Sequence, residues 1–108
     1  MSNNTPIPKW QNFYKPRDKM IQLGPKLLST SELIALVINN GNKQESALDI
    51  SRKLLASTKD GLNDLAKIDY SNLRAFSGIG KAKACQLLAL FELTNRIQNS
   101  TVKLKDGI

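Results

Sequence analysis

The chain has 108 residues, of which 41% are hydrophobic and 23% are charged, and this composition is typical of one soluble globular domain. It contains no histidine and one cysteine, which exclude a zinc finger, a histidine-bearing catalytic triad, a histidine-ligated haem site and a disulfide framework. Because its apolar runs are too short for a membrane span and its N-terminus has no signal-peptide pattern, we expect a reduced, cytoplasmic protein with no cofactor, no metal and no membrane partner.

Basic residues are concentrated at the two ends of the sequence. Sixteen Lys and Arg residues against nine Asp and Glu residues leave a net charge of +7. Residues 1–28 carry +4, residues 29–76 are neutral and residues 77–108 carry +3. This distribution favours a polyanionic partner, although many domains without such a partner are also basic.

The spacing of apolar residues predicts helices and no strands. Residues 1–16 contain three of the four prolines and no repeating apolar spacing, so we expect an extended N-terminal arm. Residues 17–23 predict a short helical turn that ends at Gly24 and Pro25.

Two helices are predicted between residues 29 and 57. Ser29 and Glu32 have the S-x-x-E capping-box pattern, in which the carboxylate reaches back to the Ser29 amide. The helix that follows is apolar nearly all round over residues 33–38, which favours a place at the centre of the core. Residues 39–42 end this helix, and an amphipathic second helix begins at Ser46.

Three more helices are predicted in the rest of the chain. Asp60 is the candidate cap of a short helix over residues 62–68, and Asp69 is the candidate cap of the next helix. The longest helix runs from Lys81 to about Ile97. Residues 98–108 lose the periodicity and indicate a linker toward another domain.

The long helix is expected to bury one face. Cys85 is interpreted as a small buried apolar residue without special reactivity, since no base is near it in the sequence. The residues expected to face inward are Ala84, Leu87, Leu88, Phe91 and Leu93.

We therefore predict an all-α fold of five helices over residues 17–97. Two helical hairpins, residues 29–57 and residues 69–97, are joined by a short helix. Each hairpin alone would expose an apolar face, and packing the two in a pseudo-two-fold arrangement buries both faces.

The turn at residues 77–80 and the helix start after it carry the chemical information. Two glycines one residue apart allow a tight turn and a close approach of an anion to the main chain, while Ile79 is expected to point inward. The amides of residues 80–83 lack intrahelical acceptors, and the helix dipole favours an anion there. Lys81 and Lys83 add two positive charges at the same place.

Other interpretations of this glycine pair are less specific or fail. Most isolated Gly-x-Gly pairs are turns between helices. A dinucleotide-binding fingerprint requires glycine at 83 and a preceding strand, and a P-loop requires glycine at 75 and Ser or Thr at 82. The chain has Lys83, Ala75 and Ala82, so neither motif is present. A helix, a Gly-apolar-Gly turn and a basic helix start together resemble the helix-hairpin-helix module, which binds the DNA backbone without reading sequence.

Several motifs occur in one order and spacing along residues 7–97. They are Pro16-Arg17-Asp18-Lys19, Gly24-Pro25, Leu28-Ser29-x-x-Glu32-Leu33, Asn39-Asn40-Gly41, Ser46, Leu48, Gly78-Ile79-Gly80-x-Ala82-Lys83-Ala84 and Glu92-Leu93-x-x-Arg96. Together they resemble the N-terminal domain of the bacterial RadC-like family, which has a DNA-repair label. The resemblance implies a two-part protein, in which a zinc-dependent JAB/MPN-type domain with a histidine-rich metal motif follows this helical domain. A chain without histidine cannot supply that second part, so we expect a domain fragment.

Two departures from the family pattern concern positive charge. Lys15 stands where the family usually has arginine, which keeps the charge but loses the bidentate geometry. Asn39 and Asn40 replace a more typical Arg-Thr pair before Gly41, so the second hairpin is the better phosphate site. The expected DNA contacts are Gly78, Ile79, Gly80, Lys81, Ala82 and Lys83. Further candidate contacts are Lys15, Arg17, Lys19, Gly41 and Lys43.

The predicted function is weak, sequence-independent DNA binding by a targeting domain that is not itself an enzyme. The alternative is a protein–protein or inter-domain interaction module on the same scaffold, with its own C-terminal JAB/MPN-type domain as one candidate partner. An enzymatic role is least favoured, because no nucleophile–base pair, metal cluster or acid pair can be assembled from these residues. The aromatic residues of the arm can stack on bases, but packing onto the helices is favoured for Trp10, Phe13 and Tyr14.

Overall fold

A computed structural model describes the backbone of residues 15–38 and 46–105, and the side chains of these ranges up to residue 100. Within these ranges the chain forms six α-helices, one turn of 3-10 helix at Pro25–Leu27 and no strand. The α-helices are α1 (Pro16–Leu23), α2 (Thr30–Ile38), α3 (Ala47–Ala56), α4 (Gly61–Leu65), α5 (Tyr70–Arg74) and α6 (Lys81–Lys105).

The predicted all-α class is confirmed. Five helices were predicted, and the additional one is α1, which the sequence indicated as a short helical turn. It begins at Pro16, a residue that was assigned to the arm. The predicted hairpins correspond to the helix pairs α2/α3 and α5/α6, whose members pack against each other. Their pseudo-two-fold relation stays a prediction. The connection from α2 to α3 and residues 1–14 of the predicted arm (residues 1–16) lie outside the described residues.

The core is built where α2 packs against both α3 and α6, with α5 on α6 and α4 on α3. Full burial of a Leu or Ile side chain contributes about 1.5–3 kcal/mol, so these few side chains dominate the stability of the domain. The buried cluster consists of Ile34, Ile38, Ile50, Leu54, Leu65, Leu73, Ile79, Ala84 and Leu87.

The start of α2 is fixed by the predicted capping box, which the structure confirms. The Ser29 amide donates to Glu32 Oε1 at 2.7 Å, and the Glu32 amide donates to Ser29 Oγ at 3.1 Å. The same carboxylate accepts from Lys19 Nζ at 3.0 Å, which ties α1 to α2. Burial of this carboxyl opposes its ionisation. The bonds from the Ser29 amide, the Lys19 ammonium and the Ser29 side chain outweigh that effect and hold the pKa of Glu32 below its ordinary value.

Two predictions about inward-facing residues are wrong. Leu93 is 59% exposed, because it lies about 150° around the helix from the buried face that Ala84, Leu87 and Phe91 define. Cys85 is exposed, since it is turned by about 100° from buried Ala84. The helix α2 lies at the centre of the core as predicted, although Leu33 on one side of it is 37% exposed.

Two predictions about helix ends are wrong as well. The last helix does not stop near Ile97 but continues to Lys105, into residues 98–108, which were predicted as a linker. Asp60 does precede α4, but its side chain makes no capping bond. Instead, the Asp60 amide donates to Asp64 Oδ2 at 2.8 Å. No helix in the described part of the chain is long and apolar enough to cross a membrane.

Candidate nucleic-acid interface

The predicted site lies on the α5–turn–α6 unit, and α5 positions its first half. The side chain of Asp69 caps α5 as predicted, since Asp69 Oδ1 accepts from the Asn72 amide at 2.9 Å. Leu73 is fully buried, which anchors this short helix to the core. The Phe76 amide donates to the Leu73 carbonyl at 3.2 Å, so the chain enters the turn directly from α5.

The turn itself depends on Gly78 and Ile79. Gly78 has φ = +90°, a left-handed conformation that residues with a Cβ adopt at a cost. This conformation lets the Ile79 amide donate back to the Phe76 carbonyl at 3.1 Å. The Ile79 side chain is 3% exposed and belongs to the core cluster, which confirms the predicted inward direction.

Gly80 differs from Gly78 in a way that the sequence did not predict. It does not adopt a left-handed φ, so its backbone conformation does not require glycine. A Cβ built on Gly80 would meet no described atom within 4 Å. The main chain at Gly80 is therefore open to an approaching group.

The first turn of α6 presents polar groups outward. The Gly80 carbonyl accepts from the Ala84 amide at 3.0 Å, which is the first bond of the helical ladder, so the amides of residues 81–83 come before it. The first turn contains no acidic residue. Lys81 and Ala82 are exposed and Lys83 is half-buried. Neither ammonium group makes an ion pair or hydrogen bond within the described ranges.

The other candidate contacts do not lie together at this turn. Arg17 is exposed on α1, whereas the ammonium of Lys19 is held by Glu32. Met20 of α1 lines a groove together with side chains between Leu88 and Gln98 in the middle of α6. Lys15 is exposed at the start of α1, and the predicted contacts at Gly41 and Lys43 lie outside the described residues.

A cation on α5, Arg74, has no role among the contacts predicted from the sequence. Arg74 Nη1 donates to the Tyr70 hydroxyl at 2.9 Å, and the guanidinium lies 5.8 Å from the centroid of the Tyr70 ring. The i,i+4 spacing of an aromatic and a basic residue is the signal that could have found this pair. It places a further exposed positive charge on the helix that leads into the turn.

The described side chains include no group of three or more His, Cys, Asp or Glu residues that could hold a metal ion. The arrangement at the turn is thus an accessible main chain, a set of outward amides and two cations. An arrangement of this kind can bind an anion.

The chain matches the model of a known protein family. The UPF0758 N-terminal family model matches residues 7–85. The chain belongs to this family. The predicted RadC-like family is thereby confirmed, since the UPF0758 proteins are members of it.

Similar UPF0758 proteins come from diverse bacteria. One from Streptococcus equi subsp. zooepidemicus is 46% identical over 93 residues, which covers 86% of this chain and 41% of the relative. Another from Flavobacterium johnsoniae is 43% identical over 90 residues, which covers 83% of this chain and 39% of the relative. A third from Alkaliphilus metalliredigens is 34% identical over 110 residues, which covers 96% of this chain and 47% of the relative. The chain thus spans less than half the length of these relatives. No solved structure matches it.

Proposed function

We propose that this UPF0758 domain binds DNA without sequence specificity, through backbone phosphates placed on the helix start over residues 78–83. The pairs α2/α3 and α5/α6 act in this proposal as a double helix-hairpin-helix scaffold, of which the second hairpin is the main DNA contact. The domain has no catalytic role of its own and brings a longer UPF0758 protein to DNA.

The observation that carries the proposal is that the start of α6 has groups without an internal role. Neither the backbone conformation at position 80 nor its described surroundings require a glycine there. Lys81 and Lys83 have no partner among the described residues. Folding alone favours the opposite composition, which is a capping Ser or Asp and an acidic first turn. A phosphate on this helix start would use all of these groups, because it accepts from the amides and is attracted by the two ammonium groups.

The lack of sequence specificity follows from the size of the side chains. Positions 78, 80 and 82 carry Gly, Gly and Ala, which bring the main chain close to a strand but cannot reach the edges of its bases. Lys81 and Lys83 act as point charges on flexible stems and carry no bidentate code. Contacts of this kind fix the position of the protein on the DNA backbone without reading it.

The decisive experiment measures the fluorescence anisotropy of a labelled DNA duplex against protein concentration at several salt concentrations. About four phosphate contacts predict a log–log salt slope near −3.6, a loss of about a hundredfold between about 50 and about 200 mM salt, and dissociation constants of about 1 μM or weaker. Absence of binding at about 50 mM salt would overturn the proposal.

A double charge-reversal variant tests whether the DNA contact lies at the start of α6. Lys81→Glu with Lys83→Glu is expected to abolish binding while the far-ultraviolet circular dichroism stays helical. The matched control is Lys26→Glu with Lys59→Glu, two exposed lysines outside the proposed contact, which lowers the net charge of +7 by the same four charges. If both double variants weaken binding equally, the effect is one of net charge and the assigned site is wrong.

A second candidate function is protein binding, which the exposed apolar residues Leu93 and Ile97 on α6 favour. In that case association depends weakly on salt and survives charge reversal at Lys81 and Lys83. The same titrations, with the rest of a UPF0758 protein in place of DNA, distinguish this function from the first.

A further inference from the structure

Arg74, the last residue of α5, is an exposed cation that differs from the arginines of α3 and α6. Those two arginines each pair with a carboxylate, since Arg52 lies 3.8 Å from Asp49 and Arg96 donates to Glu92 at 2.9 Å. Arg74 has no carboxylate partner within the described ranges. Its positive charge is therefore not compensated by a neighbour in this part of the chain.

The local sequence explains why Arg74 lacks an acidic partner. On a helix, a basic side chain pairs with an acidic residue three or four positions away. Arg52 and Arg96 each follow such a residue at this spacing. Because Arg74 ends α5, its neighbours at this spacing on the helix are Tyr70 and Ser71, and neither is acidic. The chain thus places an aromatic hydroxyl where the other two helices have a carboxylate.

Tyr70 fixes the guanidinium of Arg74 without cancelling its charge. Arg74 Nη1 donates to the Tyr70 hydroxyl at 2.9 Å, and the guanidinium lies 5.8 Å from the ring centroid, a distance at which a cation is attracted to the ring. This bond uses one of the N–H donors of the guanidinium and leaves the others for an external acceptor. A planar donor set that is held in place and stays charged is the form in which arginine binds a phosphate with two parallel hydrogen bonds.

Two successive turns connect α5 to the start of α6. The Phe76 amide donates to the Leu73 carbonyl at 3.2 Å, and the Ile79 amide donates to the Phe76 carbonyl at 3.1 Å. Each such turn brings its first and last Cα atoms within about 7 Å, so those of Leu73 and Ile79 lie within about 14 Å of each other. Phosphates follow one another about every 3.4 Å along the axis of one DNA strand, so this distance corresponds to about four phosphates. A duplex on the start of α6 therefore has further phosphates at the distance of Arg74.

We propose that Arg74 is a second phosphate contact of the DNA-binding surface and that Tyr70 is the residue that positions it. The inference rests on the proposed function and adds to it a contact on α5, outside the helix start over residues 78–83. In this contact the guanidinium donates two hydrogen bonds to one phosphate, which strengthens binding without reading the bases.

The experiment compares the fluorescence anisotropy titrations of Arg74→Ala and Arg52→Ala with those of the wild type, on one labelled duplex at several salt concentrations. Each variant removes one arginine charge, and Arg52 is the matched control because it pairs with Asp49 on α3. Loss of one of about four phosphate contacts reduces the log–log salt slope from about −3.6 to about −2.7. We expect this change, with several-fold weaker binding at low salt, for Arg74→Ala and an unchanged slope for Arg52→Ala. Circular dichroism establishes that both variants keep their helices.

A double-mutant cycle tests the positioning role of Tyr70. Tyr70→Phe keeps the ring and removes the hydroxyl that accepts from Arg74. We expect this substitution to weaken DNA binding roughly threefold, as the loss of a modest hydrogen bond does, and to leave the salt slope unchanged. In the Arg74→Ala background the same substitution should have no effect on binding, because the side chain that it positions is absent. A purely structural role of Tyr70 would lower the affinity equally in both backgrounds and would contradict this assignment.

The possible failures of the inference and of the proposed function are distinguishable. If the wild type binds DNA and Lys81→Glu with Lys83→Glu abolishes binding, but Arg74→Ala and Arg52→Ala have the same slope, the inference about Arg74 is wrong and the proposed function stands. If the wild type does not bind the duplex at about 50 mM salt, both are wrong.

Discussion

The first turns of α2 and α6 differ in the partners that the protein provides for their amides and charged side chains. At α2, Ser29 and Glu32 exchange hydrogen bonds and Lys19 neutralises the same carboxylate, so every charge has a partner inside the protein. At α6, the first turn has no acidic residue, and Lys81 and Lys83 have no partner within the described ranges. The start of α2 ties α1 to α2, while the start of α6 is left open to solvent.

This difference teaches how structure and function divide between similar elements. Both helices have the same orphan amides and the same positive end of the dipole. What differs is whether the sequence supplies the anion itself, as Glu32 does, or leaves the place for an external one. Four experiments test this comparison.

The largest effect on stability is expected from Glu32→Ala. This substitution removes the bond to the Ser29 amide and leaves the part-buried Lys19 without its carboxylate. We expect the free energy of unfolding to fall by about 2–3 kcal/mol, measured by urea denaturation. Glu92→Ala is the control, since it removes an exposed pair with Arg96 and is expected to cost less than about 1 kcal/mol. Equal losses would mean that the interactions of Glu32 with Ser29 and Lys19 are no stronger than a surface ion pair.

Low pH is expected to reduce the stabilisation that the Glu32 carboxylate provides at the start of α2. Because the pKa of Glu32 is below its ordinary value of 4.5 in the folded protein, folding favours the carboxylate. This contribution is complete above the ordinary pKa and is lost as the pH falls through the lower value of the folded state. The difference in unfolding free energy between the wild type and Glu32→Gln should therefore shrink below about pH 4.5. A difference that stays constant from about pH 7 to about pH 3 would contradict the assigned cause.

A smaller effect separates the two glycines of the α5–α6 turn. Gly78→Ala is expected to cost about 1–2 kcal/mol, because its φ of +90° is unfavourable for a residue with a Cβ. Gly80→Ala is expected to change stability by less than about 1 kcal/mol, since its Cβ meets no described atom. The added methyl group should nevertheless weaken DNA binding at low salt. If Gly80→Ala is the more destabilising variant, glycine is kept at position 80 for folding and not for access.

Much of the fold follows from local sequence signals. The capping residues Ser29 and Asp69 and the inward direction of Ile79 are set within a few residues, and the sequence predicted each of them. Cys85 and Leu93 were assigned to the wrong side of α6, because a helix rich in apolar residues all round does not reveal which side meets the core. That choice depends on where α2 and α5 pack, which is a tertiary property.

The sequence indicated which residues form the candidate site, whose binding role stays a prediction, but it did not indicate their geometry. The sequence indicated the Gly turn and its lysines, but it treated Gly78 and Gly80 as equivalent. Only the backbone dihedrals separate a glycine that the turn requires from one that leaves open space. Likewise, no local pattern showed that Lys19 is held by a carboxylate 13 residues away.

The smallest expected effect has the opposite sign to the others. Lys81→Glu with Lys83→Glu replaces two cations by two anions at the positive end of α6, which the helix dipole favours. We expect this double variant to raise the free energy of unfolding by about 1 kcal/mol while it loses DNA binding. A gain in stability together with a loss of binding would show that the helix start is kept basic against the preference of the fold, as a binding surface requires. If stability falls instead, the two lysines have partners in the folded protein, and the contrast between α2 and α6 does not hold.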